Sequence, residues 1–415
     1  MECPAAAETI TGPGPCPPTR VNVLACHNFY QRPGGEDQVF ADEVALLRGG
    51  GHAVETFTVH NDAVAGQGKL ALAVNTIWNR SIAREVGRLV RKHRADVVHF
   101  HNTFPLISPA AYYAARSAGA AVVQTLHNYR LLCPGSLFLR NGKVCEDCLG
   151  RSIPAAGAIH KCYRGDRAAS VATVALLTAH RAVRTYHRAV DTYVALTEFA
   201  RGKFVEGGFP RHKLVTKPNF IQSDPGPGTG AGGYALYVGR LDEGKGIEVL
   251  LPAWRKVTGK YELRILGDGL LAPLVREAAA ADPRIKWLGR RPMPDVFGAM
   301  GDAAFMILSS VWYEAMPKTV VESFARGTPI VASAIGALAE LVTPGQTGLH
   351  FRPGDADDLA RQLQWALGNP AQLRDMRQGC RAVFDARYTS QLNLRLLEAI
   401  YRHSIARRHG FPQAA

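Results

Sequence analysis

Two glutamates, Glu314 and Glu322, flank a segment whose pattern predicts a loop that runs into the start of a helix. The apolar run at residues 304–308 is typical of a buried strand. Residues 320–326 carry a short helical pattern. Pro317 suits the turn before it, because a missing N–H costs nothing at that position. Glu314 is therefore predicted on the loop after a strand, and Glu322 within the helix.

The start of this helix is predicted to bind an anion. The backbone N–H groups of Lys318, Thr319 and Val320 lack helical partners at such a terminus, where negative charge is stabilised. A carboxylate on each side can then hold hydroxyl groups on both sides of a diphosphate. The alternative is a strand, a loop and a helix with two solvated glutamates, and the glutamate pair alone does not decide between the two.

A glycine-rich loop at residues 239–246 follows an earlier predicted strand and carries two cations, Arg240 and Lys245. An arginine can grip diphosphate oxygens with two parallel N–H groups, whereas a lysine acts as a point charge. Fixed cations of this kind stabilise the charge that grows on a leaving diphosphate. No Asp-x-Asp pair stands where it could hold a divalent ion, so we expect no catalytic metal.

Histidines follow two further predicted strands. His101 comes after residues 96–100, and His127 after residues 121–126. Ligands of open parallel sheets bind beyond the carboxyl ends of the strands, so we expect both side chains near a ligand. A buried structural histidine is the commoner alternative. A glycine pair that ends at Gly35 precedes a predicted helix and favours a nearby phosphate, with a plain loop as its alternative.

The glycine-rich loop, the Glu-x7-Glu pair and the run at residues 327–333 occur in an order that resembles the retaining glycosyltransferases of family 4. The resemblance extends from about Val21 to the last predicted helix. It implies an α/β fold of two Rossmann-like, doubly wound parallel-sheet domains that face each other across a cleft (GT-B). It also implies a hexosyltransferase that moves sugar from a UDP- or GDP-sugar to a glycan or polyprenyl-linked acceptor, with retention of anomeric configuration.

The same resemblance assigns roles to single residues. It makes His127 and Glu314 the catalytic residues beside the donor sugar, Glu322 the ligand of the ribose hydroxyls, and His101 an acceptor-side residue. The residues it places at the donor diphosphate are Gly35, Arg240, Lys245, Lys318, Thr319 and Val320. The sequence departs from the family after Glu314, where Pro-Phe-Gly is common, so the donor sugar stays open.

Alternating strand and helix patterns predict parallel sheets covered by helices. A run of Gly and Pro at 223–233 is the clearest linker. The predicted units are a disordered start at 1–20, an N-terminal acceptor domain at 21–222 with a cysteine-rich insertion near 133–162, the linker at 223–233, a donor domain at 234–387, and a last helix at 388–415 that packs back on the first domain.

Four cysteines, Cys133, Cys145, Cys148 and Cys162, give the spacing Cys-x11-Cys-x2-Cys-x13-Cys. A Cys-x2-Cys knuckle with two flanking cysteines suits a tetrahedral structural zinc ion, and His160 is an alternative ligand. Disulfides are disfavoured because no export signal precedes them. The alternative is four unrelated, reduced cysteines. Any such metal would be structural, because protein ligands would fill all four positions.

The net charge of +14 favours acidic partners, and the sequence carries no nucleic-acid-binding signature. A predicted helix at residues 75–94 places Arg80, Arg84, Arg88 and Arg91 on one face. This face is either solvated or docks on an anionic membrane. Because no long apolar run or signal peptide is present, we expect a cytoplasmic protein, with peripheral attachment to the inner face of the cytoplasmic membrane as the sharper hypothesis.

Two other functions fit parts of this pattern. A sugar-nucleotide epimerase of similar two-domain shape would need one substrate and no acceptor. A non-enzymatic, zinc-stapled basic scaffold would bind nucleotide or nucleic acid and would not depend on Glu314. Neither explains why Arg240, Lys245, Glu314 and Glu322 occur together in this order.

Overall fold

The computed structural model describes residues 20–31 and 34–409. The prediction of a disordered start at residues 1–20 therefore lies outside the described residues, except for Arg20.

The N-terminal half of the described chain is built on a parallel sheet. Its strands are β1 Asn22–Phe29, β2 Ala53–His60, β3 Val97–Phe100, β4 Ala121–Leu126, β5 Leu139–Arg140, β6 Lys143–Val144, β7 Thr192–Ala195 and β8 Leu214–Thr216. Six of them lie in the order β2-β1-β3-β4-β7-β8, all parallel, and β5 and β6 pair as a short antiparallel hairpin. Strands β3, β4 and β7 are buried at every residue, as expected for a sheet covered on both faces.

Helices cover this sheet. Their bounds are α1 Gly35–Gly49, α2 Lys69–Ile77, α3 Arg80–His93, α4 Ala110–Ser117, α5 Ala156–Ile159, α6 Arg167–Ala182, α7 Thr185–Arg188 and α8 Glu198–Glu206.

The C-terminal half repeats the architecture. Its strands are β9 Ala235–Val238, β10 Leu263–Leu266, β11 Ile285–Gly289, β12 Phe305–Leu308, β13 Ile330–Ser333 and β14 Gly348–Phe351. They form a second parallel sheet in the order β11-β10-β9-β12-β13-β14. Its helices are α9 Ile247–Lys256, α10 Ala272–Ala281, α11 Met293–Asp302, α12 Lys318–Ala325, α13 Gly336–Leu341, α14 Ala356–Gly368, α15 Pro370–Arg387 and α16 Ser390–His409.

The strand order confirms the predicted fold of two doubly wound parallel sheets. In each sheet the order reverses beside the first strand, between β1 and β3 in one half and between β9 and β12 in the other. Such a reversal opens a crevice outside the carboxyl ends of the two strands, and ligands bind there in open α/β sheets. The fold therefore offers one binding crevice in each half.

The prediction and the structure differ at two elements. The helix predicted at residues 75–94 is two helices, α2 and α3, because Asn79 caps the second by accepting a hydrogen bond from the N–H of Ile82 at 3.2 Å. Strand β14 was not predicted.

The last helix, α16, packs against the N-terminal sheet. Leu397, Ile400 and Tyr401 lie in one buried cluster with residues of β1, β3 and β4. The Tyr401 hydroxyl also bonds the ring of His99 at 2.9 Å. No helix in the part of the chain that the structure describes is long and apolar enough to cross a membrane.

Candidate active site

The crevice of the C-terminal half lies between the ends of β9 and β12. It is lined by Tyr237, Val238, Gly239, Lys245, Leu308, Ser309, Ser310, Glu314, Pro317 and Thr319. Gly246 has a φ of +74°, and a Cβ there would stand 1.7 Å from the carbonyl oxygen of Ser309. The glycine-rich loop can therefore close on the β12 loop only because this position has no side chain.

Glu314 is held at the centre of this crevice by three donors that share one oxygen. Its Oε1 accepts from Lys245 Nζ at 2.6 Å and from Ser310 Oγ and Trp312 Nε1 at 2.8 Å each. Burial opposes ionisation, but the charge of Lys245 and the three hydrogen bonds outweigh it and hold the pKa of Glu314 below its usual value. The second carboxylate oxygen, Oε2, accepts no hydrogen bond from the described residues.

The start of α12 differs from the prediction in one detail. The N–H of Val320 donates to the carbonyl of Pro317 at 3.1 Å, so it is already bonded. Within the described residues, the N–H groups of Lys318 and Thr319 have no such partner. The Lys318 side chain reaches across to α1 and meets Asp42 Oδ2 at 2.7 Å, which bridges the two halves.

The other donor-side candidates are placed as follows. Arg240 is exposed and lies 3.4 Å from Asp242, so its guanidinium can still turn toward a ligand. Glu322 is buried on α12. Burial raises the pKa of Glu322 above its usual value. The charge of Lys318 offsets only part of this rise, and the charge of Asp42 adds to it. Gly35 begins α1, and no atom lies within 4 Å of the position a Cβ would take there.

The crevice of the N-terminal half holds the two predicted histidines in contact. His101 Nδ1 and His127 Nε2 are 2.9 Å apart, and their rings stack. Burial is the main reason that the pKa values of both histidines fall well below the usual range, and the neighbouring histidines lower them further. Both rings are therefore neutral at pH 7.

A buried ion pair stands behind these histidines. Lys217 Nζ lies 2.6 Å from Glu43 Oε1 and 3.0 Å from Asn393 Oδ1 of α16. Glu43 Oε2 faces His101 Nε2 at 3.5 Å. A carboxylate there favours a proton on Nε2 of His101, so that Nδ1 accepts from His127 Nε2–H and leaves Nδ1 of His127 as an acceptor.

Glu43, His99 and His101 bring ligand atoms within 4.8 Å of one another, a spacing that would suit a metal ion. The ammonium of Lys217 already supplies the cation at this carboxylate. A divalent ion beside it would be repelled by that charge at short range. We therefore interpret the cluster as an ion pair that orients histidines, and not as a metal centre.

Sequence reasoning missed Glu36, which lines the same crevice as His101 and His127. Its Oε2 accepts from the Tyr30 hydroxyl at 2.8 Å and from Asn128 Nδ2 at 3.2 Å. Burial raises the pKa of Glu36. Its place directly after the glycine pair, in the first turn of α1, was the signal that could have found it.

A hydrogen bond connects the two halves near the crevices, and the cavity in each crevice is small. The hydroxyl of Tyr129 in the N-terminal half donates to the backbone oxygen of Glu314 at 3.2 Å. The cavities enclose about 30 Å³ beside His127 and about 50 Å³ beside Glu314, far below the several hundred Å³ of a typical small-molecule site. Neither of these two cavities is large enough to hold a ligand of nucleotide size.

Two family models match this chain. The glycosyl transferase 4-like domain matches residues 34–219, and the group 1 glycosyl transferases match residues 232–369. The two matches correspond to the two sheets and span most of the chain. The chain belongs to the group 1 glycosyl transferases.

Individual relatives of this glycosyl transferase are distant. A glycogen synthase of Mycobacterium tuberculosis is 31% identical over 160 residues, which are 36% of this chain and 38% of that protein. An O-antigen chain mannosyltransferase B of Escherichia coli is 26% identical over 42% of this chain and 51% of its own. The chain thus matches only about two fifths to one half of the length of these curated relatives.

Solved structures share the whole fold of this glycosyl transferase. The Anabaena protein HepE in complex with UDP superposes with a TM-score of 0.64 and 16% identity, over 91% of this chain and 98% of its own. At that identity the likeness shows the fold alone, which is the two-domain GT-B architecture.

Proposed function

We propose that the protein transfers a hexose from a UDP- or GDP-sugar to a glycan or polyprenyl-linked acceptor, with retention of anomeric configuration. One observation carries the proposal. The Glu314 carboxylate, the Lys245 ammonium and two unbonded amides of α12 meet at the strand-order reversal between β9 and β12. Retention is taken from the family, and the UDP bound by HepE supports a uridine nucleotide as one of the two donor classes.

The leaving diphosphate meets positive charge in this crevice. Lys245, the exposed Arg240 and the N–H groups of Lys318 and Thr319 surround the position where its negative charge grows. Donors fixed in advance stabilise that charge without reorganising during the reaction. These groups supply the charge that a divalent ion supplies in other enzymes.

The Lys245–Glu314 ion pair has a second consequence. An incoming diphosphate competes with Glu314 for the Lys245 ammonium, which is held 2.6 Å from the carboxylate. Sharing the ammonium frees lone pairs of Glu314, which can then accept hydrogen bonds from sugar hydroxyls. Diphosphate binding thereby prepares the carboxylate that orients the sugar.

His127 takes its role from its tautomer. With Nε2–H donated to His101, the remaining Nδ1 accepts a hydrogen bond from a donor hydroxyl in the same crevice. A neutral ring that fixes one hydroxyl restricts the sugar to a reactive orientation. Glu36, with its raised pKa and its position in the same crevice, is available to an acceptor hydroxyl.

The acceptor proposal includes attachment to an anionic membrane surface. Helix α2 exposes Leu70 and Val74 at 80% and 56%, and Trp78, the extended residue that ends the helix, is 41% exposed. Four arginines of the next helix, α3, are also exposed, at positions 80, 84, 88 and 91, and Arg88 among them is paired with Glu85. Apolar side chains beside a basic face are typical of helices that lie in a membrane interface.

We expect Leu70→Asp to lower binding to vesicles that contain anionic phosphatidylglycerol by roughly tenfold. The variant loses a leucine that the membrane would bury, and the anionic lipid repels the new carboxylate. The measurement is co-sedimentation of the full chain with vesicles. Leu270→Asp is the matched control, because Leu270 is 73% exposed in the other half. Equal binding by both variants would contradict the membrane part of the proposal.

A panel of sugar nucleotides tests the donor assignment. One UDP- or GDP-sugar should raise the melting temperature, because a ligand that binds the native state stabilises it by mass action. Glu322→Ala should weaken that nucleotide by roughly tenfold or more, since hydrogen bonds to a charged group are lost. The melting temperature is followed by dye fluorescence across a range of ligand concentrations.

Two results would overturn this proposal. Conversion of the sugar nucleotide to an isomer without acceptor would support the epimerase. A shift with nucleic acid and none with any sugar nucleotide would support the non-enzymatic scaffold. An unchanged dissociation constant in Glu322→Ala would remove Glu322 from the ribose site.

A further inference from the structure

Four cysteines of the N-terminal half, Cys133, Cys145, Cys148 and Cys162, lie in a segment with little regular structure. The hairpin of β5 and β6 turns at Asn141 and Gly142, whose φ angles are +52° and +71°. Cys145 follows the second strand and donates its N–H to Phe138 O at 2.8 Å. A two-stranded hairpin that runs into a Cys-x2-Cys turn is an arrangement that commonly presents two thiolates to a metal.

The two flanking cysteines meet around Gly135. A Cβ at Gly135 would lie 3.7 Å from Cys133 Sγ and 3.5 Å from Cys162 Cβ. These two residues are 29 positions apart in sequence and share the space of one missing side chain. Both cysteines therefore lie in contact with the same point of the backbone.

The knuckle belongs to the same neighbourhood. Cys148 Sγ lies 3.6 Å from Pro154 O. Three residues further on, Gly157 O accepts from the N–H of Cys162 at 2.9 Å, and a Cβ at Gly157 would stand 2.5 Å from Pro134, which follows Cys133. All four cysteines are free of disulfides, with Cys133 and Cys148 buried and Cys145 and Cys162 half-buried. The structure thus gathers four reduced thiols.

We propose that Cys133, Cys145, Cys148 and Cys162 bind one Zn²⁺ ion as a closed, structural site with four thiolate ligands. Zinc bonds of about 2.3 Å in a tetrahedron require sulfurs about 3.8 Å apart. Among the residues that the structure describes, no three of these sulfurs lie within 4.8 Å of one another, and Cys148 Sγ lies 3.6 Å from Pro154 O instead. Metal binding therefore requires the four thiols to lie closer together than they do in this structure.

The backbone conformation around the four cysteines favours a metal ion that cross-links this segment. Five residues other than glycine have left-handed φ angles between +49° and +67°: Ser136, Phe138, Asn141, Lys161 and Arg164. Such a conformation is unfavourable for a residue with a side chain and persists where surrounding structure fixes it. Four metal–thiolate bonds supply such fixation in a segment whose own hairpin has two residues per strand.

The bound zinc ion would also fix the position of the hairpin beside the active-site cleft. Residues 141–144 at the hairpin tip face Gly244 and Gly246 of the glycine-rich loop across a cavity of about 770 Å³. Glu146, inside the knuckle, pairs with Lys203 at 2.8 Å, and Lys203 lies over the ring of Tyr313. The zinc site thus holds one wall of the cleft beside the loop that carries Glu314, and takes no part in chemistry.

The test is metal content. The full chain, purified without chelator or affinity metal, should contain about one zinc per chain by elemental analysis. Cys148→Ser and Cys145→Ser should each reduce zinc at least tenfold. Cys26→Ser and Cys380→Ser are the matched controls, because both are free, buried cysteines outside the cluster, and both should keep the full amount.

A second measurement covers variants that fail to fold. Titration of the wild-type chain with a thiol reagent should release the zinc, detected by a chromogenic chelator, as these four thiols react. Zinc below a tenth of an equivalent in wild type, or full zinc in Cys148→Ser, would overturn the proposal. Metal content is read independently of sugar transfer, so this result stands apart from the proposed activity.

Discussion

His127→Ala is expected to lower the turnover number for sugar transfer by about a hundredfold while changing the affinity for the sugar nucleotide by less than about threefold. In the proposed mechanism the neutral ring holds one sugar hydroxyl, and the ring is itself held by His101 at 2.9 Å. In the proposed site the ribose contact and all the diphosphate contacts except Gly35 come from the other half of the molecule, so nucleotide binding should not depend on this ring. The measurement is steady-state kinetics with the donor identified by the thermal-shift panel.

The control for this substitution is His60→Ala. The His60 side chain is about half exposed at the end of β2, where it pairs with Asp62 and stands outside the crevice lining. It should retain wild-type turnover. A His127→Ala enzyme that folds, melts like wild type and turns over at the wild-type rate would remove His127 from the catalytic assignment.

Much of the crevice of the C-terminal half could be predicted from local sequence patterns. An apolar strand, a proline and a short helical pattern define where α12 begins, and a glycine-rich loop follows β9. Because both strands are parallel neighbours, their loops must meet at one edge of the sheet. The structure brings Lys245 and Glu314 to 2.6 Å there, although their roles in catalysis stay predictions.

The crevice of the N-terminal half could be predicted only in part. His101 and His127 stand at the ends of adjacent parallel strands, which implies proximity. Their direct contact, however, depends on side-chain orientation. The pair of Glu43 and Lys217 joins residues 174 positions apart, and Asn393 comes from the last helix. No periodicity or motif spacing encodes a contact between such distant elements.

Two local errors have different causes. Asn79 is a standard helix cap, so the break between α2 and α3 was readable from the sequence. Strand β14 has the sequence Gly-Leu-His-Phe, with half-exposed residues at its centre, at the edge of the sheet. Four residues with one glycine and one histidine give no strand signal without their neighbour β13.

Lys217→Met is expected to reduce the free energy of unfolding by about 3–5 kcal/mol, because it leaves the Glu43 carboxylate buried without its cation. Lys217 is fully buried and Glu43 is 1% exposed, so water cannot replace the lost partner. The measurement is chemical denaturation followed by circular dichroism. Lys256→Met is the control, because its ion pair with Asp357 is exposed on both sides and should contribute little.

The double variant Glu43→Gln with Lys217→Met separates a lone buried charge from lost packing. Removing the carboxylate as well should restore part of the stability, because the penalty arises from an uncompensated charge. If Lys217→Met alone is as stable as wild type, Glu43 is not held as a carboxylate by Lys217. The proposed orientation of His101 and His127 would then lose its source, since Glu43 Oε2 faces His101 at 3.5 Å. Stability and turnover should therefore fall together in the single variant, and the turnover defect should persist in the double variant, which lacks the charge that sets the His101 tautomer.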